Sequence, residues 1–111
     1  MISKQEWTAW EARWPWCWNC GRHGACSHHI VRGGNKYKVR VEPRACLRLC
    51  VYCHTELHST GKWSLPRELS LKRKMDPDNW DLAAINGWRP NGEKFDEADI
   101  DRWEFLERNR P

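Results

Sequence analysis

The stretch Leu49-Cys50-Val51-Tyr52-Cys53-His54-Thr55-Glu56-Leu57-His58 decides how this chain is read. It sets a Cys-x-x-Cys pair directly against a His-x-x-x-His pair. No other part of the sequence is as dense in metal-ligating side chains. Two more thiols stand upstream at Cys17 and Cys20, and two more imidazoles at His28 and His29. A Cys-x-x-Cys turn offers two thiolates from one knuckle, and zinc takes two such turns tetrahedrally. Cys17, Cys20, Cys50 and Cys53 therefore read as a structural zinc set. Gly21 supplies the permissive residue that a tight turn needs after its second cysteine. Bound thiolates would supply folding free energy on the order of 10 kcal/mol. The plain alternative is four unrelated buried thiols. Cys26 and Cys46 are left over and default to inert, buried thiols; Cys26 is a candidate substitute in the metal set.

Composition sets the frame. The chain has 111 residues, 6 Cys and 9 Trp, with 19 Lys plus Arg against 15 Asp plus Glu. That length suits one domain, residues 1–111, with a small core that a metal would help to hold. The modest positive charge permits a polyanionic partner without demanding one. The tryptophans are read first as packing, and second as surfaces on which bases stack. The N-terminal residues carry no signal-peptide pattern, and no apolar run is long enough to span a bilayer. The expected setting is intracellular, in the cytoplasm, with no membrane partner. Thiols stay reduced there, so six cysteines point to metal before disulfides. Three disulfides would be the reading for a secreted chain.

Around the central stretch the expected elements are mostly helical. Residues 3–14 suit an amphipathic helix, with Ser3 as cap, Glu6 at the capping-box position and Trp7, Trp10 and Trp14 on one side. Pro15 ends it. Residues 27–31 have strand character and lead into the Gly33-Gly34 turn. Tyr37-Lys38-Val39-Arg40-Val41 alternates as a second strand and stops at Pro43. Residues 51–59 form a helix, since only helical spacing puts His54 and His58 on one side. Further helices are expected over 65–75, from Asn79 to Asn86, and from about Asp96 to Arg108. The order is helix, knuckle, hairpin, helix, then a helical tail: a small α+β fold with a core over about 15–60 and a tail over 61–111. His23 reads as an exposed loop residue.

Other zinc motifs fail on spacing. A His-Glu-x-x-His protease needs Glu directly after the first His, whereas here the acid is Glu56. The deaminase pattern puts His-x-Glu before Cys-x-x-Cys, and here it follows. Cys17-x-x-Cys20, then His28-His29-Ile30, then a Gly-bearing turn, then Leu49-Cys50-x-x-Cys53-His54-x-x-x-His58, resembles the HNH endonucleases, the ββα-metal nucleases. The resemblance covers about residues 17–58. It implies a hairpin and a helix clamping a divalent ion. It implies that His28, His54 and His58 ligate that ion (Mg²⁺, Mn²⁺, Ni²⁺ or Zn²⁺) and that His29 is the general base. It also implies that the four cysteines hold structural zinc. One departure stands out: where the family carries an Asn that holds the hairpin loop, this chain has Ala45. Asn35, in the Gly-rich turn, is a candidate to take over.

The resemblance implies a DNA endonuclease of low or partner-lent sequence specificity, leaving a 5′-phosphate and a 3′-hydroxyl. The basic stretch Arg32, Lys36, Lys38, Arg40, Arg44 and Arg48 would hold the backbone of double-stranded DNA without reading bases; a solvated loop explains it equally well. Small members of the family are often found in phages, some beside the packaging machinery, which implies a protein partner. Residues 61–111 match no motif and read most simply as a packing scaffold. Within them Arg67, Lys72, Arg73 and Lys74 could clamp DNA, and the acidic last helix could meet a protein. The competing function is a non-catalytic zinc-stabilised DNA-binding or protein-interaction module, and Ala45 favours it. The competing account of the imidazoles is a hydrogen-bonded shell around a single zinc.

Overall fold

The structure, a computed structural model, describes residues 2–31, 37–59 and 61–111. Helix α1 spans Lys4–Arg13. The Ser3 hydroxyl accepts from the Glu6 backbone N–H at 3.1 Å, so the cap read from the sequence is formed. Trp10 is the buried residue of α1. Its indole meets Trp7 and Trp18, and Trp14 in turn meets Trp18 edge-on at 5.2 Å and 81°. The tryptophans here are core, as their apolar area favours. After Pro15 the chain doubles back. Cys17 N–H donates to the Arg22 carbonyl, Gly21 N–H donates to the Cys17 carbonyl, and Gly21 sits at φ +78°, a conformation suited to glycine.

Two strands form the sheet, β1 over Cys26–His29 and β2 over Cys46–Leu49. They pair antiparallel, with His28 opposite Leu47 and His29 opposite Cys46. The expected second strand over 37–41 is a correction: residues 37–39 form a 3₁₀ turn, with Tyr37 largely exposed. Burial explains the difference. Every residue of β2 is buried, whereas the alternating segment buries only Val39, against Val31 and Ala45 in a small side cluster. The segment covered on both faces, Arg48 included, is the one that pairs with β1. The turn residues Gly33, Gly34 and Asn35 lie outside the described residues.

Helix α2, Val51–Ser59, follows β2 after the single residue Cys50. Helix α3 spans Leu65–Met75, capped by Ser64. The helix expected from Asn79 starts later. Pro77–Asn79 closes a 3₁₀ turn, and Asp81 caps α4, Leu82–Gly87, by accepting from Ala84 N–H. Helix α5, Glu97–Arg108, carries a capping box between Asp96 and Asp99. Trp10, Trp18, Leu47, Leu49, Leu57, Leu69, Ile85 and Ile100 share one core. Residues 61–111 thus supply Leu69, Ile85 and Ile100 to that core, as a packing scaffold would. None of the described helices is long and apolar enough to cross a membrane.

Two basic side chains expected at the surface are inside. Lys72 is fully buried; its Nζ donates to Asp76 Oδ2 at 3.0 Å and to the Pro43 carbonyl, between the faces of Trp10 and Trp18. Burial pulls its pKa down, and Asp76 works against that shift. Asp76 also accepts from Trp10 Nε1 at 2.8 Å and from Asn79. Arg48 is 6% exposed and donates to Glu11, Ser27 and the carbonyls of Trp14 and Ala25. Arg73 is held by Glu97, Asp101 and Glu104. The basic side expected of α3 is therefore reduced to Lys74 and to Arg67, whose guanidinium stacks on Trp63 at 3.7 Å.

Removing one member of a buried ion pair leaves an uncompensated charge. Lys72→Ala should therefore cost about 3–5 kcal/mol. Arg73→Ala, at the surface, should cost no more than about 1 kcal/mol. Urea denaturation followed by tryptophan fluorescence measures both.

Candidate metal centres

The two knuckles meet at the start of α2. The Sγ atoms of Cys17, Cys20, Cys50 and Cys53 all lie within 4.8 Å of one another, with Cys20 and Cys50 at 3.6 Å. A tetrahedron of about 2.3 Å metal–sulfur bonds has edges of about 3.8 Å. Cys20 alone of the four is exposed. Asn19 Nδ2 donates to Cys53 Sγ at 3.4 Å, an outer contact that holds the sulfur in place.

The electrostatics of the four thiols point the same way. At Cys50 burial opposes the thiolate, but the first backbone N–H groups of α2, from Cys53 and Tyr52, and the neighbouring thiols outweigh it, to about 6. At Cys53 burial pushes the thiol up to about 12, with the Cys17, Cys20 and Cys50 thiols adding to the rise. Like groups crowded together drive their ionisations apart, and a cation at the centre reverses this. The set can hold a metal ion. Cys46 stands apart, with burial raising its thiol to about 12. Cys26 is also outside the set, its Sγ donating to the Leu49 carbonyl.

The second group joins β1 to α2. His28 Nδ1 and His54 Nε2 are 3.2 Å apart, and His54 Nε2 and His58 Nε2 are 3.0 Å apart. All three nitrogens lie within 4.8 Å of one another. Adjacent nitrogens around an ion with bonds of about 2.1 Å would be about 3.0–3.4 Å apart. A single proton on His54 Nε2 bridges to one neighbour at a time, whereas a central ion accepts all three lone pairs. The helix supplies two of the imidazoles one turn apart. The strand supplies the third, turned inward at 3% exposure.

His29 is the next residue and faces the other way. Its Nε2–H donates to the Arg40 carbonyl at 3.1 Å, and it is not among the three clustered imidazoles. Of the expected DNA-contacting residues, Lys38 and Arg40 are exposed. Arg44 is committed to Glu42 and Asp81, which raise its pKa against the effect of burial, and its guanidinium lies over Trp88. Arg48 is withdrawn into the interior, as described above. Arg32 and Lys36 lie outside the described residues.

One residue at this centre was not legible from motifs. Glu68, on α3, places Oε1 3.2 Å from His28 Nε2, and both side chains are 3% exposed. The available signal was a charged residue on the apolar side of an amphipathic helix, between Leu65 and Leu69. Comparison with known proteins returns no matching family model, no matching curated protein and no matching solved structure. What the chain does is therefore read from its geometry.

The two groups should respond differently to substitution, the imidazole group depending on the thiol group for its geometry but not the reverse. Cys50→Ser should abolish the fold by circular dichroism. His58→Ala should keep the fold and lose one equivalent of bound metal by elemental analysis.

Proposed function

We propose that this protein is a metal-dependent DNA endonuclease of the HNH type, with zinc in the four-cysteine set as its structural staple. The observation that carries the reading is the convergence of His28 from a strand and His54 and His58 from the following helix, beside but separate from four thiols. The order β1, β2, α2 is the order the HNH pattern implies. Three neutral imidazoles fit a divalent ion and leave positions for phosphate and water. Such an ion would neutralise charge developing on the phosphodiester and its leaving oxygen.

The protein's own part centres on His29. Because its Nε2–H donates to the Arg40 carbonyl, its Nδ1 is the ring atom that accepts a proton. In the proposed reaction it takes that proton from the attacking water, whose oxygen bonds to phosphorus as the P–O3′ bond breaks. The 3′ oxygen leaves as an alkoxide, whose charge a bound ion would offset and which takes a proton from solvent water to become the 3′-hydroxyl; the phosphate stays on the 5′ side. The Arg40 carbonyl thereby supplies the orientation that the family draws from its Asn. Exposed Lys38 and Arg40 lie in the same segment and would meet the DNA backbone. Specificity for sequence would come from elsewhere, including a protein partner such as phage packaging machinery.

A second reading is a non-catalytic zinc-stabilised binding module. Ala45 favours it: the residue is fully buried and brings no polar side chain to the loop. Supercoiled plasmid with Mg²⁺, Mn²⁺ or Ni²⁺ separates the two. Nicking should appear and should fall by about 10²–10⁴-fold in His29→Ala; no nicking with any of these ions at high protein selects the binding module. For DNA affinity, Lys38→Ala and Arg40→Ala should each reduce the salt dependence of log Kd by about one unit of slope, measured by fluorescence anisotropy.

A further inference from the structure

We infer that Glu68 is a positioning residue for the imidazole centre, fixing His28 in the one tautomer that can ligate a metal through Nδ1. This rests on the reading of His28, His54 and His58 as a metal set. The geometry is direct. A carboxylate oxygen can only accept, so the 3.2 Å contact makes His28 Nε2 the protonated nitrogen. In a neutral ring the lone pair then belongs to Nδ1. Nδ1 is the atom that faces His54 Nε2, at 3.2 Å. A ring flipped about χ2 would turn its Cδ2–H toward the metal position, and the other tautomer would turn an N–H toward it. The arrangement is a carboxylate, a histidine and a metal position in series, in which the carboxylate both orients the ring and raises its basicity.

The supporting frame is rigid. Glu68 lies in the first turn of α3, whose N-cap is Ser64. The next residue, Leu69, is in the core, and Lys72, one turn on, is locked to Asp76. Among the described residues, the ligand set and the C-terminal half are therefore joined by a hydrogen bond between side chains that are both buried. A cation on Nδ1 would polarise the ring and strengthen the Nε2–H as a donor, so ion and carboxylate support each other across it. Glu68 touches neither substrate nor ion in this scheme and acts through His28.

Three readouts test it on the full chain with its thiol-bound metal retained. Ni²⁺ titration calorimetry of the wild type should show one site that His58→Ala loses. Glu68→Ala should weaken Ni²⁺ by up to about 100-fold, and Glu68→Gln, whose amide oxygen still accepts from Nε2–H, by about 10-fold. Long-range ¹H–¹⁵N spectra of the imidazoles, taken without Ni²⁺, should show His28 as the Nε2–H tautomer in the wild type and in Glu68→Gln, and a mixture in Glu68→Ala. A general packing defect would not move that tautomer. If Glu68→Ala does not fold, the isosteric Gln variant decides through its affinity. Wild-type Ni²⁺ affinity in the folded variants, with His28 unchanged, would overturn the role of Glu68 alone. A wild type that binds no Ni²⁺ through His58 would instead overturn the metal reading beneath it.

Discussion

Four sulfur atoms crowded at one helix start are the constraint on which the rest of this structure depends. Cys50 and Cys53 bracket the first turn of α2, and Cys17 and Cys20 come to them from the turn after α1. Because β2 ends at Leu49, the strand, the thiol junction and the helix follow without a spare residue. The direction in which α2 leaves the sheet is therefore set at the sulfurs. That direction carries His54 and His58 to His28, and β1 holds His28 there by pairing with β2. The imidazole cluster is a geometric consequence of the thiol cluster.

A second set of restraints holds the C-terminal half against this frame. Helix α3 and its C-cap Asp76 present three buried polar residues in succession, each with a different address. Glu68 reaches the imidazoles, while Lys72 and Asp76 reach the tryptophans of the N-terminal region and the carbonyl before Arg44. Buried polar groups cost free energy unless their partners are in place, so they penalise any misdocked arrangement of α3 more heavily than apolar contacts alone would. Such groups favour one unique packing even where they add little stability.

Much of this was legible in the sequence, for reasons that are local. Helices α2 and α3 and the cap at Ser3 follow from short-range spacing, the four thiols follow from two motif pairs, and His28 joined His54 and His58 through the family resemblance. What escaped was long-range. Residues 37–41 alternate well enough for a strand, yet β2 took that place because burial on both faces outweighs alternation on one. Arg48 and Lys72 look like surface cations until partners remote in sequence, such as Glu11 and Pro43, are seen beside them. Glu68 has no motif, because its meaning comes from a histidine on another element.

The shared use of α2 has a consequence for assembly. An ion among the imidazoles must find both β1 and α2 already in place, whereas the thiol pairs can begin to gather an ion as two short local loops. Loading of two such ions would therefore be sequential. The thiol centre forms with the fold, and the imidazole centre becomes competent only after it, once α3 has also docked. By linkage, an ion in the later site would in turn tighten the hold on the earlier one. A chain built this way would mature by steps, filling its imidazole cluster last, when little of it remains unfolded.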